Sequence, residues 1–273
     1  MSVMPTDNSH KPLKILFITQ DDPFYVRLFF EEFFKHYKSL HEISGVVIAH
    51  AMGKRSYAKL ARQMYDFYGP VNFMKMGTKY ALHKMLVHLP DAFRKNGGFN
   101  LSQLCGNYGI PVIYESRINS SDFLETVKGI NIDLIISVAA PVIFKKDIIQ
   151  LPTYGCINIH HAKLPKYRGM MPNFWQMFHD EKRVGMTIHE ISPKIDDGRI
   201  ILQKEVDIES GETLESLIKR TKRIGAHLMM EAIEMIKSGK VKYVDNKEAE
   251  GSYFSFPKRE DVREFKKRGK KLI

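Results

Sequence analysis

The side chains in this sequence best equipped for chemistry are an amide, an imidazole and a carboxylate: Asn158, His160 and Asp196. Asn158 and His160 close the apolar run GCINIH, and Asp196 stands in the turn IDDG that follows a second apolar run. An amide has two N–H donors that can steady an oxygen gaining negative charge. An imidazole can give or take a proton near neutral pH. A carboxylate beside it can raise the ring's pKa, orient the ring and pass a proton through water. Each residue also has a plainer use. Asn158 and His160 can satisfy backbone or core hydrogen bonds, and Asp-Asp-Gly is an ordinary turn.

Position decides between these uses. The run at 155–159 is short and β-prone, and it stops abruptly in polar residues and Lys163-Leu164-Pro165, so its last side chains sit where a strand runs out into a loop. Strand alternation turns Ile157 and Ile159 one way and Asn158 and His160 the other. An amide and an imidazole then share one face at the open end of a sheet, where α/β folds place ligands. His161 falls on the opposite side if the strand persists.

The surrounding chain reads as such a sheet. Residues 13–19, 43–49, 110–114 and 132–138 are apolar strand candidates. Between the first two, Asp22 is a candidate N-cap and Pro23 the first position of a helix over 24–38. Ser121-Asp122 can cap a helix through Lys128, and a short helix runs up to Leu151. Strand–helix alternation of this kind argues for a parallel sheet covered on both faces. Residues 173–179 read as a helix holding the single tryptophan, Trp175. The strands at 184–191 and 199–206 follow one another directly through IDDG, which predicts an antiparallel portion in the later half. Residues 213–237 carry one apolar stripe at helical spacing, ended by Gly239. Residues 240–244 and 252–257 are extended candidates.

Asn158-x-His160, Leu164-Pro165, Gly169 and Ile195-Asp196-x-Gly198 after a strand, in this order and spacing, closely resemble the signature of the formyltetrahydrofolate-dependent formyltransferases, which include glycinamide ribonucleotide, methionyl-tRNA and amino-sugar enzymes. The resemblance extends more loosely over residues 13–239. It departs where the family often has Ser two residues after the histidine, since that position is Ala162. The implied fold is Rossmann-like α/β, a mostly parallel sheet with an antiparallel portion and helices on both faces, plus a short C-terminal extension. The implied donor is 10-formyltetrahydrofolate and the implied acceptor a primary amine. Asn158, His160 and Asp196 are the implied catalytic set, with Asp196 rather than Asp197 aligned to the family aspartate. The loop carrying Pro141, Val142 and Ile143 would line the pterin pocket with Asp196, although a loop packed under the sheet uses the same residues. Lys163, Lys166, Tyr167 and Arg168 lie beside the site, where they suit an anionic acceptor or a solvated loop equally.

Family links between the second and third strands are usually shorter than the one here, so part of residues 53–109 is read as an insertion, with helices at 56–68 and 78–88. Packed helices are favoured over a lid or a dimer contact, and Met64, Met74, Met76 and Met85 are read as gap-filling core. The expected division is a disordered lead over 1–12, a catalytic domain over 13–240 and a basic C-terminal extension over 241–273. Methionyl-tRNA enzymes carry a sizeable domain after the catalytic one, and roughly thirty residues are too few for an independent core. A small amine, such as a nucleotide-linked amino sugar, is therefore preferred to tRNA, which stays as the second reading. A folate- or RNA-binding module without catalysis is a third, and a hydrolase releasing formate a fourth.

Composition narrows the field further. The chain has 273 residues and a formal net charge of +11, which suits an anionic small molecule, a polyglutamylated folate or RNA. The segment TQDDPF after the first strand has no glycine-rich dinucleotide turn, and the chain has no Walker loop. This argues against nicotinamide chemistry and against the phosphate grip implied for glycinamide ribonucleotide enzymes. Cys105 and Cys156 make no disulfide framework, and the histidines 160, 161, 179 and 189 lack a zinc-ligand spacing, so no metal is expected. No apolar stretch reaches spanning length and the first residues carry no signal pattern, so the expected location is cytoplasmic, with no membrane partner. A basic end segment is read as solvated or as facing a second subunit of a homodimer.

Overall fold

The computed structural model describes residues 12–50, 57–89 and 98–273 of the chain. All but one residue of the expected disordered lead, and residues 53–56 and 90–97 of the expected insertion, lie outside the described residues.

A seven-stranded sheet runs through the protein. Its strands are β1 (Ile15–Thr19), β2 (Ile43–Ile48), β3 (Val112–Tyr114), β4 (Leu134–Val138), β5 (Cys156–His160), β7 (Arg183–Glu190) and β8 (Ile200–Asp207), in spatial order β3-β2-β1-β4-β5-β7-β8. The first five are parallel, β7 runs antiparallel to β5, and β8 antiparallel to β7. The parallel-then-antiparallel sheet is as expected. Chain progression reverses between β1 and β4, and β5 lies one strand further on.

Alternation along the strands makes two apolar layers. Ile15, Phe17, Ile136, Ile157 and Ile159 face α1 (Val26–His36), α3 (Leu101–Asn107) and α7 (Leu214–Lys237). Leu16, Ile18, Ile135 and Cys156 face α4 (Ser121–Ile130) and α5 (Lys146–Gln150). Helix α1 reads VRLFFEEFFKH, so its phenylalanines recur at helical spacing, and Phe30 and Phe33 meet Phe17 edge-on at 5.3 and 5.1 Å. Burying each such ring contributes about 2 kcal/mol. The helix begins later than expected. Asp22 Oδ1 accepts from the N–H groups of Phe24 and Tyr25 in a turn, and the first helical residue is Val26.

A third apolar cluster joins α6 (Pro172–Phe178) to the end of the chain. Phe174 stacks on Phe265 of α8 (Arg259–Lys267) at 4.7 Å, and Trp175 stacks on Phe254 at 4.8 Å and donates to the Ser255 carbonyl. Phe254 belongs to β9 (Tyr253–Phe254), which pairs with the two-residue β6 (Arg168–Gly169). A Cβ on Gly169, whose φ is +94°, would lie 2.3 Å from the Phe254 carbonyl oxygen, so only glycine allows that pairing. Residues 241–273 are thus packed against the loop that leaves β5. Val244 makes a single bridge to Ile200 in place of the edge strand expected at 240–244.

Helix α2 (Tyr57–Val87) is longer than the two helices read from sequence, because the stretch between them is helical too. It kinks at Gly69 (φ 73°), and Pro70 starts the second segment, where a proline loses no helical hydrogen bond.

Candidate active site

β5 delivers two of the three predicted side chains. Asn158 and His160 project from the face opposite Ile157 and Ile159, and the register sets Asn158 opposite His189 and His160 opposite Thr187 on β7. Cross-strand neighbours share a face, so β7 brings a second imidazole to the amide. Asn158 Nδ2 lies 3.1 Å from His189 Nε2. The loop leaving β5 is stitched down by β7 and α6. Thr187 Oγ1 donates to the Ala162 carbonyl, and Gln176 joins the His161 carbonyl to the Gly185 N–H. Ala162, where the family often has serine, is fully buried in the third apolar cluster.

The connection from β7 to β8 supplies the carboxylate. Asp196 takes the left-handed conformation (φ 51°), which Asp tolerates better than most residues. Its Oδ2 accepts from the Gly169 N–H at 2.8 Å and lies 3.5 Å from His160 Nδ1, while Oδ1 is 3.7 Å from His189 Nε2. Asn246 Nδ2 holds the turn by donating to the carbonyls of Asp196 and Gly198. Gly198 is dictated by space, since a Cβ there would sit 1.9 Å from the Glu190 carbonyl oxygen. Asp197 points elsewhere and pairs with Arg168 at 2.9 Å. The amide, the ring and the carboxylate predicted from sequence therefore meet in space.

Hydrogen bonding fixes which atoms are available. His160 Nε2 is 2.7 Å from the Tyr167 carbonyl, which can only accept, so Nε2 carries the hydrogen and Nδ1 faces Asp196. His189 is buried, and burial pushes its pKa down to about 4 against the opposing pull of Asp196. The neutral ring donates from Nδ1 to the Glu190 carbonyl at 2.7 Å, so Nε2 is a lone pair that accepts from the Asn158 amide. This sets the amide's orientation and leaves Asn158 one N–H to offer outward.

His189 was not among the predicted site residues. A lone histidine on a strand carries little signal, and only its pairing with Asn158 reveals it. The expectation for the basic loop needs correction. Arg168 is buried and held by Asp197 and by Asn246, and the Tyr167 hydroxyl donates to Glu181, so neither is free to meet an acceptor. Lys163 pairs with Glu205. Of the predicted pterin loop, Val142 packs against the α4–α5 layer, Ile143 is exposed, and the Ile143 carbonyl accepts from Asn119. The loop follows β4, whose Ser137 pairs with Asn158, so it lies at the same edge of the sheet as His160.

Behind β5 is a second polar group. His161 faces α7, with Cε1 3.3 Å from where a Cβ on Gly225 would stand, and neither ring nitrogen has a hydrogen-bond partner among the described residues. Burial, then the nearby Lys222 amine, pushes its pKa well down. Lys222 is itself pushed down to about 8 by burial, and burial raises the Asp22 carboxyl. Among the described residues, the three ligand atoms close enough to share a metal ion belong to Glu32, His36 and His227 on α1 and α7, none of them part of the site.

The family model described as "Formyl transferase" matches residues 89–233. A methionyl-tRNA formyltransferase of Kosmotoga olearia is 32% identical over 162 residues, 59% of this chain and 52% of that protein. The chain spans about half the length of the curated relatives it matches. In structure, an N-formyltransferase of Helicobacter canadensis solved with folinic acid and dTDP-3-aminofucose superposes with a TM-score of 0.56 at 18% identity, over 96% of this chain and 84% of that one. A phosphoribosylglycinamide formyltransferase of Anaplasma phagocytophilum gives a TM-score of 0.59 at 17% identity, over 89% of this chain and all of the other (100%). At these identities the two structures share the fold.

Proposed function

This chain belongs to the formyl transferase family, and we propose that it moves a formyl group from 10-formyltetrahydrofolate to the primary amine of a small anionic acceptor, such as a nucleotide-linked amino sugar. The observation that carries the reading is the convergence of Asn158, His160 and Asp196 at one sheet edge with their hydrogen-bonding directions set.

Bound 10-formyltetrahydrofolate supplies the formyl carbon. The donor set fits such a ligand, because Asn158 retains one outward N–H and the loop that follows β4 at the same end of the sheet leaves the apolar Ile143 side chain exposed. Asn158 donates to the formyl oxygen as negative charge grows on it. The amine must lose a proton when it bonds to carbon, and His160 Nδ1 is the nitrogen placed to take it and to return it to the folate nitrogen as the bond from that nitrogen to the formyl carbon breaks, so that tetrahydrofolate would leave. Asp196 stabilises the charged ring and holds it in line, while its own position is fixed by Gly169 and Asn246. We assign this chemistry to residues 13–240, with a helical insertion at 53–109, and treat residues 241–273 as a basic C-terminal extension.

Sharing of the fold over 96% of this chain with an N-formyltransferase solved with dTDP-3-aminofucose supports the small acceptor. The sequence likeness to methionyl-tRNA formyltransferases, with the net charge of +11, favours charged initiator tRNA as the second reading. The test offers the protein 10-formyltetrahydrofolate with pooled dTDP- and UDP-linked amino sugars, or with methionyl initiator tRNA, and follows the acceptor mass. Formylation of a sugar nucleotide supports the first reading, and formylation of tRNA alone replaces it with the second. Folate binding without turnover of either would reduce the protein to a binding module.

A further inference from the structure

The second segment of α2, from Pro70 to Val87, has an apolar face that stands exposed among the described residues. At about 1.5 Å per residue it extends roughly 27 Å. Its inner side is engaged, with Met76 buried and Lys79 paired to Glu215 at 3.1 Å. Its outer side presents Val71, Met74, Leu82 and Met85, which are 66%, 68%, 54% and 70% exposed. Thr78 and Ala81, also exposed, complete the same stripe at helical spacing. Met74 and Met85 were expected in the core, so the structure corrects that reading, and only Met76 of the methionines in this segment is buried.

Charge decides what could cover this face. The stripe is edged by exposed Lys75 and Lys84, and the segment from 70 to 87 contains no acidic residue. In the first segment, Lys59 and Arg62 line a surface hollow with Lys258 and Arg259 from the start of α8, where the four cations outnumber the two carboxylates, Asp66 and Glu260. Farther along α8, Lys266 donates to the Tyr68 carbonyl beside the kink. A second copy of this face would bring lysine against lysine with no carboxylate on the segment to answer them, which is unfavourable. RNA would satisfy the lysines but leave four apolar side chains in water. An anionic lipid surface answers both, since the apolar chains enter the headgroup boundary while the lysines meet the headgroups.

We propose that the outer face of α2 docks the protein on membranes bearing anionic lipid. The expectation of no membrane partner rested on the lack of a spanning segment, and no helix among the described residues is long and apolar enough to cross a membrane. A helix lying on the surface needs no spanning length. The proposal is independent of the acceptor and of formyl transfer itself.

The test is flotation of the full chain with phosphatidylcholine vesicles, with and without about one-third phosphatidylglycerol. Expected is flotation with the anionic vesicles only, weakened at least about tenfold by Val71→Ser with Met74→Ser, Leu82→Ser and Met85→Ser, and diminished by salt. Because those residues are exposed, the serine variant should keep the wild-type circular dichroism and melting temperature. A Lys75→Glu, Lys84→Glu variant tests the same face without touching its apolar residues and should also bind less. No flotation of the wild type, or equal flotation of all variants, would overturn the proposal. So would a wild-type dimer in light scattering that the serine substitutions disperse, or RNA binding that they abolish, since each names a different occupant.

Discussion

His160 and His161 are adjacent in sequence and lie on opposite faces of one strand end, and their surroundings differ in kind. His160 is held at one nitrogen, with Nε2 donating to the Tyr167 carbonyl, Nδ1 facing Asp196, and Asp196 itself held by Gly169 and Asn246. His161 is equally buried, yet neither of its nitrogens has a partner among the described residues, and its neighbour is an amine rather than a carboxylate. Burial alone therefore does not make a catalytic group. A ring becomes one when its tautomer is set, a charge of the right sign stands beside it and one nitrogen is left to exchange a proton.

The contrast can be broken most forcefully by exchanging roles. His160→Ala should lower kcat by about a thousandfold, the range of general acid–base catalysis, while His161→Met leaves it within about threefold. Comparable losses at both positions would erase the distinction. Asp196→Asn and Asn158→Ala should each cost about 10²–10³ in kcat with an unchanged melting temperature.

How far this was readable from sequence depends on whether the controlling information was local. The opposed directions of His160 and His161 follow from period-two alternation alone, and the structure keeps them. The approach of Asp196 across the connection between two strands came from the motif, since nothing local distinguishes it from Asp197. His189 was invisible because its importance lies in a cross-strand pairing with Asn158. Arg168 looked like a surface cation, and its burial depends on Asn246, distant in sequence. Met74 and Met85 were assigned to the core because methionine commonly fills gaps there, and residue type alone does not say which side of a helix packs. The α2 kink was partly legible, as Gly69-Pro70 is a helix-interrupting pair, though the chain resumes a helix at once.

His189→Gln should lower kcat about 10–100-fold with little change in KM, because it loosens the Asn158 amide rather than removing a reacting group. The folded-state pKa of His189 lies near 4, below the ordinary 6.5, so an unfolded chain takes up a proton that the folded one refuses. Stability should thus be full above about pH 6.5 and fall as pH drops toward 4, by about 1–3 kcal/mol for this residue. Urea unfolding across that range should show a shallower decline in His189→Gln. Smallest of all, His161→Met should raise stability by about 1 kcal/mol at neutral pH, because it replaces an unpartnered buried ring with an apolar side chain.

The most direct measurement is single-turnover formyl transfer from 10-formyltetrahydrofolate to the accepted amine, comparing wild type with Asn158→Ala, His160→Ala and Asp196→Ala after each is shown to bind the folate. The account predicts bound folate throughout and a chemical step slowed at least about a hundredfold in every variant. Variants that transfer the formyl group at the wild-type rate would show that this amide, ring and carboxylate are not where the chemistry occurs.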